Sequence, residues 1–226
     1  MRLSIHLLLL CLLKTTSISQ HSMKATSSLI HSRCSAPPSF AGAVKEKILS
    51  MEPFDNIITL SCKKTFNNMP MIIEGIVPPA LQSIDGFCED IRDLIIAASS
   101  MASKEVADMS YRLALLDSVK CPKWHEDYVK MRLLKTYHGV GTEYCDPEDI
   151  SIRFSNYVRT TLLNLDPHVA PSKVKEANTH DVLILTGRNR EGHLPVLHRS
   201  PKSVRINDHI TDVSEGRRLL LTITIP

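Results

Sequence analysis

Two histidines and one aspartate have the residue types and spacing of a metal site. His125 and Asp127 lie two residues apart, and His198 follows far downstream. Side chains at positions i and i+2 of an extended chain point the same way, so this imidazole and carboxylate can converge on one ion. Two histidines and one carboxylate leave coordination positions open, as in non-haem Fe(II) oxygenases. The sequence therefore predicts a metal centre made by His125, Asp127 and His198.

An arginine near the C-terminus could anchor an acidic cosubstrate. Arg217 and Arg218 precede the apolar run LLLTITI. A guanidinium grips a carboxylate at two points, and neighbouring residues of a strand face opposite sides, so only one of the two can face the site. We assign that role to Arg218, with the distal carboxylate of 2-oxoglutarate as its ligand. The resulting hypothesis is an oxygenase that uses Fe(II) and 2-oxoglutarate on an unidentified small-molecule or protein substrate.

The elements that would position these residues are mostly strands. Apolar residues recur every three or four positions over 80–101, which predicts an amphipathic helix. Short β-prone runs bounded by turn residues predict strands, and these cover 56–60, 111–119, 128–137, 181–186, 194–198 and 218–225. The predicted class is α+β with a mainly β C-terminal half. We expect a double-stranded β-helix of the jelly-roll or cupin type with packed N-terminal helices.

Composition and the N-terminal segment divide the chain into two parts. Its 226 residues with a net charge of +3 fit one domain, and the charge is too mild to predict a nucleic-acid partner. Residues 1–45 contain no acid and include a mainly apolar run over 3–13, too short to span a bilayer. We predict a cleavable targeting leader and linker over 1–45 and a single domain over 46–226, with no stable membrane span after the leader is removed.

The leader leaves the destination open between two organelles and secretion. A signal-like apolar run followed by Ser-rich, weakly basic sequence favours a plastid reached through a bipartite leader, or a mitochondrion. Secretion is the alternative. The six cysteines are scattered without a CxxC pair, which favours free thiols over a disulfide framework.

Three blocks of sequence resemble a mainly bacterial family that is classed as a domain of unknown function. They are CPKWHEDYVKMRLLKTYHGVGTEY, LHRSP and RRLLLTI, and they match the family pattern C-x-x-[FW]-H-x-D, T-Y-x-G-x-G-T-E, H-R-S-P and R-L-L-L over roughly residues 50–226. More distantly, the order of motifs is similar to that of 2-oxoglutarate/Fe(II) dioxygenases. The resemblance implies catalytic roles for Arg132 and Tyr137. Tyr137 would hydrogen-bond a bound acid, and Arg132 would face the pocket or form a structural ion pair.

Two other kinds of site remain open. A non-catalytic cupin-like module would bind a metal or small ligand through the same residues without activating oxygen. A zinc site could instead use Cys121, His125, His138 and Cys145, although their spacing matches no common structural zinc pattern. The sequence contains no G-x-S-x-G, P-loop or G-x-G-x-x-G motif, which argues against nucleophilic hydrolases and nucleotide cofactors.

Overall fold

The computed structural model describes residues 28–102, 108–118, 121–147, 169–201 and 216–226. Within these residues, two antiparallel sheets and four α-helices form the domain. In chain order the elements are β1 (Leu29–Ser32), α1 (Ala41–Leu49), β2 (Phe54–Ser61), α2 (Met69–Ile76), α3 (Pro79–Gln82), α4 (Phe87–Met101), β3 (Asp108–Leu116), β4 (Met131–His138), β5 (Glu143–Cys145), β6 (Lys175–Glu176), β7 (Val182–Thr186), β8 (Leu197–Arg199) and β9 (Arg218–Ile225). All six strands predicted from the sequence are present, and their ends differ from the predicted ends by at most three residues.

The order of the strands is that of a jelly roll. The large sheet runs β1-β7-β4-β9-β3-β2 and the small sheet runs β6-β5-β8. From β4 onward the chain passes repeatedly between the sheets, so that β4 and β5, or β7 and β8, are consecutive in sequence but lie in different sheets. Two such sheets enclose side chains between their inner faces. The predicted α+β class, with a jelly roll (double-stranded β-helix) in the C-terminal half and helices packed beside it, is confirmed.

The outer face of the large sheet forms the main hydrophobic core with the helices. Alternate residues of β3 and β9 face this side, among them Leu113, Leu221 and Ile223, and all three are fully buried. They belong to one cluster with Ile91 and Ile95 of α4, whose spacing puts both side chains on the same side of that helix. Each such side chain contributes roughly 1.5–3 kcal/mol on burial. The helices therefore support the sheet from outside and leave its inner face to the site.

The helix predicted over 80–101 is interrupted. Gly86, which separates α3 from α4, has a φ of 79°. Helix α3 ends at Gln82, and the left-handed conformation of Gly86, which glycine adopts without a steric penalty, precedes the start of α4 at Phe87. No helix in the described part of the chain is long and apolar enough to cross a membrane.

The folded domain begins earlier than the sequence predicts. Strand β1 lies inside the predicted leader and linker, yet it pairs with β7 at the edge of the large sheet. His31 on this strand contacts Asp181 over 2.7 Å, and Phe40 and Val44 are buried in the main core. The boundary at residue 45 is therefore wrong for the described residues, because pairing with strands more than a hundred residues away gives no local signal. Residues 1–27 lie outside the described residues, so the leader stays a prediction.

Candidate metal centre

His125, Asp127 and His198 come together between the two sheets. One ligand atom from each lies within 4.8 Å of the other two. Nε2 of His198 is 3.2 Å from Oδ2 of Asp127, and Nε2 of His125 is 3.9 Å from Oδ1 of the same carboxylate. Adjacent ligands of an octahedral ion with bonds of about 2.1 Å are separated by about 3.0 Å. The His198–Asp127 pair has nearly this spacing, and His125 lies close enough for the three side chains to converge on one cation.

Backbone pairing explains why residues so far apart in sequence meet. The N–H of His125 donates to the carbonyl of His198 over 3.1 Å, and the N–H of His198 donates back over 3.0 Å. Two residues paired in this way carry their side chains on the same face. Asp127, two residues on, keeps that direction, and its carbonyl accepts the N–H of Arg188 over 2.9 Å. The H-x-D segment therefore extends the small sheet beside β8.

Both imidazoles are oriented by the backbone. Nδ1 of His125 lies 2.9 Å from the carbonyl oxygen of Lys123, and Nδ1 of His198 lies 3.1 Å from that of Val196. Because a carbonyl only accepts, each of these hydrogen bonds requires a proton on Nδ1, and a neutral ring then keeps the lone pair on Nε2. Metal-binding histidines are commonly held in this way by a backbone carbonyl. Both free lone pairs lie next to the Asp127 carboxylate.

The Asp127 carboxylate has one satisfied and one unsatisfied oxygen. Oδ1 accepts a hydrogen bond from Nη1 of Arg132 over 2.9 Å. Oδ2 is buried and has no hydrogen-bond partner among the described residues, although Nε2 of His198 is close by. Two lone pairs facing each other in a buried site are unfavourable unless a proton or a metal ion lies between them. This arrangement fits a metal ion.

Electrostatics favour the metal-binding protonation states of His125 and Asp127. Burial, followed by the proximity of His198, lowers the pKa of His125, so the imidazole is neutral at physiological pH. Burial alone raises the pKa of Asp127, but His198, Arg132 and His125 together outweigh it and the pKa lies below its ordinary value. A neutral imidazole and an ionised carboxylate are the forms that bind metal.

The two histidines and four arginines, Arg218 among them, line one cavity of about 480 Å³. Arg218 is only 5% exposed, and its Nη2 donates to Oγ1 of Thr142 over 2.6 Å and reaches Oγ1 of Thr136 at 3.3 Å. Its Nε is buried without a hydrogen-bond partner among the described residues. Burial, partly offset by Glu176, lowers the pKa of Arg218 to about 10, so it stays charged at neutral pH. A buried cation with an unused donor suits a carboxylate ligand.

A family comparison covers most of this domain. The family described as "Protein of unknown function (DUF1826)" matches residues 42–223. The chain belongs to the DUF1826 family. No curated protein matches the chain.

Several solved structures are similar to this DUF1826 member at very low identity. The Fe(II)/α-ketoglutarate-dependent dioxygenase TqaL is 10% identical, with a TM-score of 0.47 and coverage of 99% of this chain and 89% of that one. A prolyl-4-hydroxylase from Pseudomonas putida is 10% identical, with a TM-score of 0.37 and coverage of 89% and 93%. A salicylate 1,2-dioxygenase from Pseudaminobacter salicylatoxidans is 6% identical, with a TM-score of 0.27. The alignment covers 52% of this chain but only 21% of that chain.

The two neighbouring arginines of the DUF1826 member point in opposite directions. Arg218 faces the cavity. Arg217 instead donates through Nη1 to the carbonyls of Ile48 and Met51, over 2.7 and 2.5 Å, at the C-terminal end of α1. The choice of Arg218 over Arg217 for the cavity agrees with this geometry. Strand alternation predicts only that one of the two faces the cavity, and the structure shows which one it is.

Arg132 combines the two alternatives that the sequence left open. It lines the cavity, and it also forms an ion pair with Asp127. Its Nε is buried without a hydrogen-bond partner among the described residues. Groups just outside a metal's coordination shell commonly orient its ligands. The Arg132 guanidinium is placed to orient the Asp127 carboxylate in this way.

The role predicted for Tyr137 is wrong. Its side chain is 1% exposed and faces the helices, where its hydroxyl donates to Oδ2 of Asp90 over 2.5 Å. Lys135, two residues earlier on the same face of β4, binds both oxygens of Asp90 over 2.8 and 2.9 Å. Arg132 and Tyr137 are five positions apart, and residues an odd number of positions apart on a strand face opposite sides of the sheet. Tyr137 is therefore part of a buried polar contact between β4 and α4.

The alternative four-ligand zinc site does not form. In the part of the chain that the structure describes, His125, Asp127 and His198 are the one set of three or more potential ligands that converges. Cys145 is fully buried and packs with Trp124 and Leu197 instead. None of the five cysteines among the described residues forms a disulfide. Zinc stays possible only as an alternative ion at the His–Asp–His site.

Two threonines of the site were missed by sequence reasoning. Thr136 and Thr142 hold the Arg218 guanidinium, from the end of β4 and the segment before β5. Both lie in the T-Y-x-G-x-G-T-E block. Nothing in the spacing of that block links either hydroxyl to an arginine about eighty residues downstream, so the pairing becomes visible only in the folded chain.

Proposed function

We propose that this protein is an oxygenase that depends on Fe(II) and 2-oxoglutarate. The observation that carries the proposal is a single cavity lined by His125 and His198, next to Asp127, and by the buried guanidinium of Arg218. A three-ligand centre leaves coordination positions open, and a cation without an acidic hydrogen-bond partner among the described residues lies in the same cavity. A metal and a dicarboxylate account for both features together.

The donor set supports Fe(II). Two imidazole nitrogens and one carboxylate oxygen on one side of an ion form the facial triad of non-haem Fe(II) enzymes. His125 and His198 would bind through Nε2, because Nδ1 of each ring faces a backbone carbonyl. Asp127 would bind through Oδ2, since Oδ1 is held by Arg132. Zinc accepts the same donors and is the alternative metal.

The surroundings of Arg218 support 2-oxoglutarate. The guanidinium would take the distal carboxylate of the cosubstrate, while the oxo acid at the other end reaches the metal. Thr142 and Thr136 keep the guanidinium in one orientation, so little freedom is lost on binding. Burial of Arg218 strengthens the attraction because the ion pair is poorly screened by water.

The chain's own residues bind and orient the reactants. Arg132 fixes the rotation of the Asp127 carboxylate, and Arg218 fixes one end of the cosubstrate. With Fe(II) and 2-oxoglutarate bound, such a centre supplies the oxidising power to replace a C–H bond by a C–O bond in a substrate. Leu134 and Leu220 line one side of the cavity and pack with the buried Leu183 and Leu185 of β7, so this side disfavours water.

An anaerobic titration tests the proposal without knowledge of the substrate. Fe(II)-loaded protein should develop a visible charge-transfer band when 2-oxoglutarate chelates the iron, and should release succinate on exposure to O₂. His198→Ala should abolish both signals. His193→Ala, which changes a histidine that does not line the cavity, should leave both unchanged. Tight metal binding without the band or succinate would contradict the proposal and favour the non-catalytic cupin-like module.

A further inference from the structure

The cavity is rich in cationic and donor groups. Among the described residues that line it are four arginines and two histidines, and no aspartate or glutamate. Three of the arginines pair with carboxylates that lie outside the lining: Arg112 with Asp55, Arg132 with Asp127 and Arg199 with Glu143. These carboxylates offset much of the positive charge, so the paired guanidinium groups act on the cavity mainly as N–H donors. The lining therefore favours occupants that carry hydrogen-bond acceptors, such as a carboxylate.

One part of this lining lies away from Arg218. We call it the β3–β9 wall, and it consists of Ser110, Arg112, Thr222 and Thr224. Ser110 is paired with Thr224, and Arg112 with Thr222, across the two strands. Paired residues of an antiparallel ladder share a face. The register therefore places three hydroxyls and one guanidinium side by side on the inner face of the large sheet.

The wall has hydrogen-bonding capacity that the described protein does not use. The hydroxyls of Ser110, Thr222 and Thr224 have no hydrogen-bond partner among the described residues. Arg112 donates Nε and Nη2 to Asp55, over 2.5 and 2.7 Å, which leaves the two N–H groups of Nη1. Arg112 stays charged, because its hydrogen bond to Asp55 raises its pKa. Each of these groups can donate to one acceptor on a ligand.

Distance separates the wall from the cosubstrate end of the cavity. Thr222 is four residues from Arg218 along β9, so at about 3.3 Å per residue their Cα atoms are roughly 13 Å apart. 2-Oxoglutarate has four C–C bonds of about 1.5 Å each and cannot exceed about 6 Å between its end carbons. One molecule of 2-oxoglutarate bound at Arg218 therefore leaves the wall to a second ligand.

We propose that the β3–β9 wall binds the carboxylate of the substrate, which is a small organic acid distinct from 2-oxoglutarate. Arg112 and the neighbouring hydroxyls hold the carboxylate, and the carbon chain extends toward the metal ligands. The reaction assigned to this acid rests on the proposed oxygenase function. The binding itself rests only on the wall, and it can be measured without turnover.

Ligand-observed NMR on a loaded, inert complex tests the wall. The protein is charged with Co(II) and saturated with N-oxalylglycine, an unreactive mimic of 2-oxoglutarate that occupies the Arg218 end. The probes are monocarboxylic acids of three to eight carbons, each compared with its primary amide. We expect at least one acid to bind, with its amide at least about tenfold weaker, since a charge-assisted hydrogen bond is lost.

Two variants assign that binding to the wall. Arg112→Gln should weaken the acid at least about tenfold, and Thr222→Val, which preserves shape, should weaken it without removing a charge. Arg92→Gln is the matched control, because Arg92 is an exposed arginine on α4 paired with Glu89. N-oxalylglycine affinity should stay unchanged in all three.

The outcomes separate the wall from the oxygenase hypothesis. If acids and amides bind alike, if no acid binds, or if Arg112→Gln and Thr222→Val both bind as the parent does, the wall proposal is overturned. If Co(II) or N-oxalylglycine fails to bind, the proposed function fails, and the acid panel is repeated on the metal-free protein. Acid binding that depends on Arg112 in that form still supports the wall, and its absence there overturns it.

Discussion

Arg132 donates a hydrogen bond to Oδ1 of Asp127 over 2.9 Å and leaves Oδ2 of that carboxylate buried without a hydrogen-bond partner among the described residues. A carboxylate can otherwise rotate and offer either oxygen, or both, to an ion. The guanidinium removes this freedom, so only one oxygen is available for coordination. Arg132 is therefore a positioning residue, which acts on the metal through a ligand.

Replacing Arg132 by lysine should weaken metal binding by about 10- to 100-fold, the usual effect of removing a group that orients a ligand. Lysine keeps the charge but has no planar fork to hold the carboxylate. Titration with Co(II), followed by its visible absorption, measures both affinity and ligand geometry. Arg92→Lys on α4 should bind Co(II) as the parent does. Parental affinity and spectrum in Arg132→Lys would rule out the positioning role.

The pair Arg217 and Arg218 offers an internal control for cosubstrate binding. Arg218→Lys should weaken 2-oxoglutarate binding by roughly 10- to 100-fold, because a charged, oriented hydrogen bond is worth about 1.5–3 kcal/mol. Arg217→Lys should leave that affinity unchanged and lower stability by about 1–2 kcal/mol, through loss of its bonds to two carbonyls. Calorimetric titration and urea unfolding of both variants give the comparison. The reverse pattern would mean that the assignment of the two side chains is wrong.

Tyr137→Phe should separate stability from function. The variant loses the hydrogen bond to Asp90, and we expect a loss of about 2 kcal/mol in the free energy of unfolding, as for bonds to charged groups. Binding of metal and of 2-oxoglutarate should not change, since Tyr137 faces the helices. Denaturant unfolding and the two binding titrations are the measurements. A clear loss of 2-oxoglutarate affinity would restore Tyr137 to the site.

His180 should make the protein sensitive to mild acid. Burial, and then Lys135, lower the pKa of His180 to about 4, against about 6.5 in the unfolded chain. The unfolded state therefore takes up a proton first, so the contribution of His180 to stability is constant above about pH 6.5 and falls by about 2–3 kcal/mol as the pH drops to about 4. His180→Asn cannot titrate, and asparagine tolerates the φ of 73° at this position. Unfolding curves at several pH values should show a shallower acid slope in the variant, and an equal slope would argue against His180 as the source.

A side chain at position 141 would clash with the neighbouring backbone, whereas one at position 42 would not. A Cβ at Gly141 would lie 1.7 Å from the carbonyl oxygen of Ala177, whereas one at Gly42 in α1 would meet nothing within 4 Å. Gly141→Ala should destabilise by about 1–3 kcal/mol, and should also weaken 2-oxoglutarate binding, because the next residue, Thr142, holds Arg218. Gly42→Ala should stabilise by about 0.5–1 kcal/mol. Thermal unfolding of the two variants should show a lower Tm for Gly141→Ala and a higher Tm for Gly42→Ala.

Local patterns were enough to predict the strands and the three proposed metal ligands. The β-prone run RLLLTITI predicted the bounds Arg218–Ile225 of β9, and strand alternation allowed only one of the two arginines to face the site. The spacing of His125 and Asp127 defined two ligands, because a strand carries i and i+2 on one face. These features depend on neighbours in sequence, which is why they are readable without the fold.

Contacts between distant segments could not be predicted. The hydroxyl of Thr142 reaches a guanidinium 76 residues away, and Lys135 reaches Asp90 on a helix 45 residues earlier. Neither partner carries a pattern that identifies the other. The error at Tyr137 has a different origin. Tyr137 and Arg132 are five positions apart on the same predicted strand, so the sequence already indicated that both side chains could not face the cavity.

The short edge strand β1 limits how the N-terminus can be processed. It covers one side of β7, and His31 on it contacts both Asp181 and the hydroxyl of Tyr144. A peptidase that cut after residue 32 would remove a strand from a finished sheet and uncover a row of unpaired backbone groups, which is a template for aggregation. If the leader that we propose is cleaved, the mature chain should therefore begin before Leu29.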